Sequence, residues 1–133
     1  MKEKLIKLLD NSYSPYSKFR VAAIVVMKDG TEFCGVNVEN ASYGASICAE
    51  RSAILSAISH GYKKGDFASL YVMCDSDKIG MCCFGCRMVI SELFDKDCNI
   101  VSMNPKGKKE VHSVEELCPY PFSSDDLDNS EVV

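Results

Sequence analysis

Three cysteines and a glutamate stand where they could hold and use a metal ion. Cys48-Ala49-Glu50-Arg51 is answered further along the chain by Cys83-Phe84-Gly85-Cys86. Thiolate binds zinc well, and cysteines at i and i+3 at a helix start point to the same side. A helix N-terminus also leaves unpaired N–H groups and partial positive charge, both of which favour thiolate over thiol. Cys48, Cys83 and Cys86 therefore read as ligands of one Zn²⁺ per chain. Three protein ligands leave a fourth position for water, the arrangement of a catalytic zinc, and zinc makes hydroxide available near neutral pH. Glu50 adjoins the ligands, is a poor fourth ligand beside sulfur, and is well placed as the acid–base group. Arg51, one turn from Cys48, can offset the excess negative charge by hydrogen bonding to the sulfurs. The competing arrangement is a closed four-cysteine site completed by Cys82, although Cys82 and Cys83 would then have to reach one ion from adjacent positions.

These residues need elements to bring them together. Leu5, Ile6, Leu8 and Leu9 share one face at helical spacing, so a first helix is expected over 2–12. Pro15 closes it off by disfavouring helix at Ser14. Val21 to Val26 is a β-branched run and a buried strand; Asp29-Gly30 turns it, and Glu32 to Val38 returns antiparallel. Asn40 to Ser46 is a small, polar loop. From Cys48 the apolar period changes to that of a helix, capped at Gly61. Ala68 to Cys74 is a third strand, a further helix starts near Phe84, and Asn99 to Met103 is a fourth strand. Glu110 to His112 pairs back as a fifth, and Val114 to Leu117 is a short helix after Ser113. This order implies an α/β domain with a mixed sheet and helices on its faces. Beyond Phe122 the tail, 123–133, is acidic and expected to fray.

The totals narrow the classes further. The chain's 133 residues, 47% apolar and 26% charged, suit a single domain over 1–133 with its own core. No apolar run reaches the roughly 18 residues of a membrane span, and the start lacks the pattern of a secretory signal. A cytoplasmic protein without a membrane partner is expected. Eight cysteines could mean a disulfide framework, but several lie in apolar strand-like runs, where a thiol behaves as a small buried hydrophobe. The net charge of −4 gives no basic surface for a nucleic-acid strand, so a small, roughly neutral substrate fits better.

The chain resembles the small, homotetrameric cytidine deaminases along nearly its whole length. The resemblance runs through Ser14-Pro15-Tyr16-Ser17-Lys18-Phe19, Gly35-Val36-Asn37-Val38-Glu39-Asn40-Ala41, Ile47-Cys48-Ala49-Glu50-Arg51, Cys86-Arg87, Val114-Glu115-Glu116-Leu117 and Pro121-Phe122. Zinc held by thiolates, with a glutamate that is not a ligand as proton shuttle, is the known chemistry of such deaminases. The resemblance implies a three-layer α/β/α sandwich around a five-stranded mixed sheet. It also implies hydrolysis of cytidine and deoxycytidine to uridine and deoxyuridine plus ammonia, as in pyrimidine salvage. Carried over by position, Asn37 and Glu39 bind the ribose, Phe19 lines the base pocket, and Ala49 offers its N–H to the pyrimidine carbonyl. Tyr16 and Tyr43 match intersubunit contacts near the sugar, and Phe122 matches an aromatic that reaches a neighbouring subunit's site. The second zinc segment departs from the family: Cys82 replaces a proline, Phe84 a glycine and Met88 a glutamine. A shifted loop there would alter the carbonyl of Met81, expected to accept from the substrate's amino group. Two alternatives follow: a deaminase of a modified nucleoside such as blasticidin S, or a zinc-stabilised binding module with no activity.

Overall fold

The structure, a computed structural model, describes residues 1–127; the end of the acidic tail, 128–133, lies outside the described residues. Strand β1 (Val21–Met27) turns through Gly30, at φ +89°, into antiparallel β2 (Glu32–Val36). On its other side β1 pairs antiparallel with β3 (Phe67–Cys74), which pairs parallel with β4 (Asn99–Met103). β5 (Lys109–Ser113) closes the sheet antiparallel to β4, giving the order β2-β1-β3-β4-β5. A parallel pair cannot be joined by a hairpin, and helix α3 (Phe84–Leu93), between β3 and β4 in the chain, supplies the crossover.

Each face of the sheet is covered, which explains why β1 reads as an unbroken apolar run. Ala22 and Ile24 face α1 (Lys2–Leu9), meeting Leu5, Leu9, Met73 and Val101 in one core. Ala23 and Val25 face the other way, toward Ala53, Ile54 and Ala57 of α2 (Ala49–Ser59) and Ile90 of α3. The short helix α4 (Val114–Leu117) begins in a reciprocal capping box between Ser113 and Glu116 and buries Val114 and Leu117 in that second core. This is the three-layer α/β/α arrangement with a five-stranded mixed sheet that the sequence implied.

Boundaries shift where side chains compete for the backbone. The first helix ends at Leu9 rather than at residue 12, and the Ser12 hydroxyl instead donates to Asn37 Oδ1. β2 stops at Val36 rather than Val38; Val38 makes single bridges to Tyr13 and Ile47, which draw the chain over the sheet end. Within the acidic tail, Ser124–Leu127 forms a 3-10 turn instead of fraying.

Gly35 fixes the distance between the sheet and the helix that carries Glu50. A Cβ at Gly35 would lie 2.5 Å from both Ala49 O and Ala53 N, so only a residue without a side chain lets β2 approach the first turn of α2. Backbone on both sides leaves nothing flexible to yield. Gly35→Ala is therefore expected to cost about 1–3 kcal/mol, the usual penalty of overpacking. A denaturant midpoint unchanged from the parent protein would contradict this.

Candidate active site

Two helix starts converge at one end of the sheet. Cys48 is the N-cap of α2 and Cys83 the N-cap of α3, both with extended backbone. Cys86 lies one turn into α3 and is fully buried. The Sγ atoms of Cys48, Cys83 and Cys86 all lie within 4.8 Å of one another, and Cys48 Sγ to Cys83 Sγ is 3.8 Å. Two sulfurs bound tetrahedrally at about 2.3 Å from one zinc ion sit about 3.8 Å apart, which is the Cys48–Cys83 spacing. Cys82 stands outside this cluster: its side chain is buried in the core beneath α3. The set of sulfurs converging on one point is thus Cys48, Cys83 and Cys86, which leaves a side open for water or substrate.

The surroundings supply positive polarity to the sulfurs. Arg51 Nη2 donates to Cys48 Sγ at 3.2 Å, and the Cys86 N–H donates to Cys83 Sγ at 3.4 Å. Contact with the Cys86 thiol, opposed by burial and followed by Arg51, holds the Cys48 thiol down at about 5. Cys86 is pushed far up, first by sharing its proton with Cys48 and then by burial. Arg51 is in turn raised, chiefly by Cys48. Without a cation the crowded thiols cannot all ionise; a dication removes that obstacle.

Glu50 is 5% exposed, and burial raises its carboxyl above the ordinary carboxylate range; the nearby Cys48 charge adds to this. A carboxyl that resists ionisation holds a proton more readily near neutral pH, which suits a group that must both take and give one. It faces a cavity of about 500 Å³, within the usual range for a small-molecule site. Cys48, Ala49, Glu50 and Cys83 form the polar end of that cavity; Phe19, Val72, Cys74 and Met81 contribute apolar surface. Ala49 is the first residue of α2, where the helix leaves its N–H without an intrahelical partner. Tyr16 and Tyr43 line the cavity as well, their rings edge-to-face at 6.2 Å.

Asn37 and Glu39 also line the cavity, and each is held in place by partners within the chain. Asn37 Oδ1 accepts from the Val21 N–H at 2.9 Å as well as from Ser12, and its Nδ2 donates to Phe19 O at 2.8 Å. The Glu39 carboxylate accepts from the Tyr16 and Ser17 N–H groups and from the Ser17 hydroxyl, which lowers its pKa. Lys18, at φ +61°, reverses the chain between these partners, so that Ser17 meets Glu39 while Phe19 enters the cavity. Sequence reasoning missed this role of Ser17 and Lys18; a positive φ at a lysine carries no sequence signal. Phe122 does not reach the cavity of its own chain. It lies 60% exposed beside Met88, Val89, Leu93 and Leu127.

Cys83 has an ordinary N-cap conformation at φ −65° and ψ 161°, and Phe84 is the first helical residue of α3, a position that does not require glycine.

Residues 1–102 match the family model described as the cytidine and deoxycytidylate deaminase zinc-binding region. The chain belongs to this family. It is 36% identical to a cytidine deaminase of Halalkalibacterium halodurans over 96% of this chain and 95% of that protein. It is 39% identical to one from Sporosarcina psychrophila over 94% of this chain and 93% of the relative. The crystal structure of cytidine deaminase from Burkholderia pseudomallei superimposes with a TM-score of 0.86 at 40% identity, covering 90% of this chain and 94% of that one. The three-thiol cluster is in keeping with the zinc-binding region for which the family model is named.

Zinc binding to the metal-free protein must expel the proton that Cys86 holds. Adding zinc at pH 7 is expected to release on the order of one to two protons per chain, and affinity should fall as pH falls. Titration in weak buffer with a pH indicator measures this; uptake without acidification would contradict the thiol assignment.

Proposed function

We propose that Cys48, Cys83 and Cys86 hold one zinc ion and that Glu50 moves protons in the hydrolytic deamination of cytidine and deoxycytidine. The observation that carries this reading is a buried glutamate beside three converging thiols at the end of a nucleoside-sized cavity. The net reaction takes a cytosine nucleoside and water to the uracil nucleoside and ammonia. Zinc, when bound, supplies the Lewis acidity that makes water nucleophilic near neutral pH.

The chain's own residues do the rest. Glu50 takes a proton from the attacking water and delivers it to N3 of the pyrimidine, then carries a second proton to the departing amino group. The Ala49 N–H holds the pyrimidine carbonyl, and the Met81 carbonyl accepts from the amino group. Phe19 packs on the base, while Asn37 and Glu39 take the sugar, with Tyr16 and Tyr43 along its edge. Because Asn37 and Glu39 are already held by Ser12, Ser17 and backbone groups, they meet the sugar hydroxyls in a fixed orientation. Arg51 balances charge at the thiolates. Phe122 serves a neighbouring subunit of a homotetramer, in keeping with its exposure away from its own cavity. The reaction is one of pyrimidine salvage, and we assign it to the cytoplasm as part of this proposal. Among the described residues, no helix is long and apolar enough to cross a membrane.

Two measurements test this reading. Glu50→Gln should retain zinc and the fold yet lose at least about a thousandfold in turnover of cytidine, followed by absorbance, because Gln cannot shuttle protons. Near-parental turnover, or parental turnover of blasticidin S but not cytidine, would overturn the assignment. Sedimentation should give the mass of four chains; a monomer at working concentration would remove Phe122 from the site.

A further inference from the structure

We propose that Arg87 is a positioning residue for the zinc site, clamping the segment that presents Cys83. Its Nε donates to Cys82 O at 2.8 Å and its Nη1 donates to Leu117 O at 3.0 Å. The same guanidinium lies over the Phe84 ring, 4.3 Å from its centroid. One planar group therefore ties the residue before Cys83, the first residue of α3 and the last residue of α4 together.

The need for such a clamp follows from the backbone around it. Cys82 lies outside any helix or strand, and among the described residues Arg87 is the only hydrogen-bond partner of its carbonyl. Neither Cys82 nor Cys83 is a proline, so no ring fixes φ there. The Cys83 sulfur must nevertheless be held near Cys48 and Cys86, one from another helix and one a turn further on. α4 is anchored independently by its capping box and by buried Val114 and Leu117, which makes Leu117 O a firm point of attachment. Phe84, 71% exposed, contributes little to the core, and its ring instead covers one face of the guanidinium. Lysine could not replace this group, because a single ammonium cannot span two separated carbonyls and stack on a ring.

The inference rests on Cys83 being a zinc ligand, and the experiment separates the two. Zinc release from the loaded enzyme to a chromophoric chelator is measured for the parent, Arg87→Ala, Arg87→Lys and Phe84→Ala, along with kcat, KM and melting of the metal-free protein. Arg87→Ala is expected to release zinc about tenfold faster or more, as removal of groups that orient metal ligands does. Arg87→Lys should restore only part of this, and Phe84→Ala should raise the rate a few-fold while the metal-free melting temperature barely moves. kcat should fall more than KM rises, since the clamp touches no substrate. Release at the parental rate from Arg87→Ala and Phe84→Ala would overturn the clamp, as would a loss of metal-free stability without faster release. Should Arg87→Ala fail to fold, Phe84→Ala and Arg87→Lys carry the same test. A parent protein that binds no zinc would instead overturn the ligand assignment itself.

Discussion

Three sulfurs must occupy points under 5 Å apart, although two of them cap different helices and the third lies one turn into the second. Thiolates repel one another, and their proximity lowers the Cys48 thiol while it and burial raise Cys86. Much of the surrounding architecture serves to hold these groups together. Gly35 lets α2 sit tightly on β2, Arg51 and the first turn of α3 donate to sulfur, and Arg87 ties the α3 entry to α4. A metal ion converts a mutually repelling cluster into a bonded one, so binding and local stability are coupled here.

Burial of Glu50 follows from the same convergence. A residue placed between Cys48 and the α2 core cannot remain solvated, and its carboxyl is raised for that reason. A buried carboxyl raised in this way, beside converging thiols in a cavity, is a common mark of a functional group. Cys74 and Cys82, buried nearby and not among the converging sulfurs, have thiols raised to about 11 and further up, respectively, first by desolvation. They behave as small buried hydrophobes.

The substrate end of the cavity is organised by hydrogen bonds rather than by secondary structure. Asn37 and Glu39 lie beyond the end of β2, where the chain has left the sheet, and they act first as braces for the 12–19 loop. Such braces restrict the rotamers of both side chains, and under the proposed function this would lower the entropy lost when they meet the sugar. The left-handed Lys18 is the sharpest point of that loop and shows where the backbone is bent to serve the site.

The sequence by itself determined the layered α/β class, the strand and helix order, and the choice of Cys48, Cys83, Cys86 and Glu50 as the candidate site that the fold brings together. Each of those is written in local terms: a β-branched run at 21–26, an i, i+3 cysteine pair at 83 and 86, and a glutamate beside a capping cysteine. What only the tertiary structure decided are relations between distant segments. That Cys82 is buried in the core while Cys83 joins Cys48 agrees with the i, i+3 reading, but the burial itself depends on how α3 seats against the sheet and α2. That the side chains of Ser12 and Ser17 reach Asn37 and Glu39, and that Arg87 spans to Leu117, depends on contacts closed by loops, whose geometry has no sequence period. Ser12 stands at the end of the expected first helix, and Ser17 and Arg87 within stretches that resemble the family; their bracing roles exist only once the sheet and helices have brought their partners within hydrogen-bond reach.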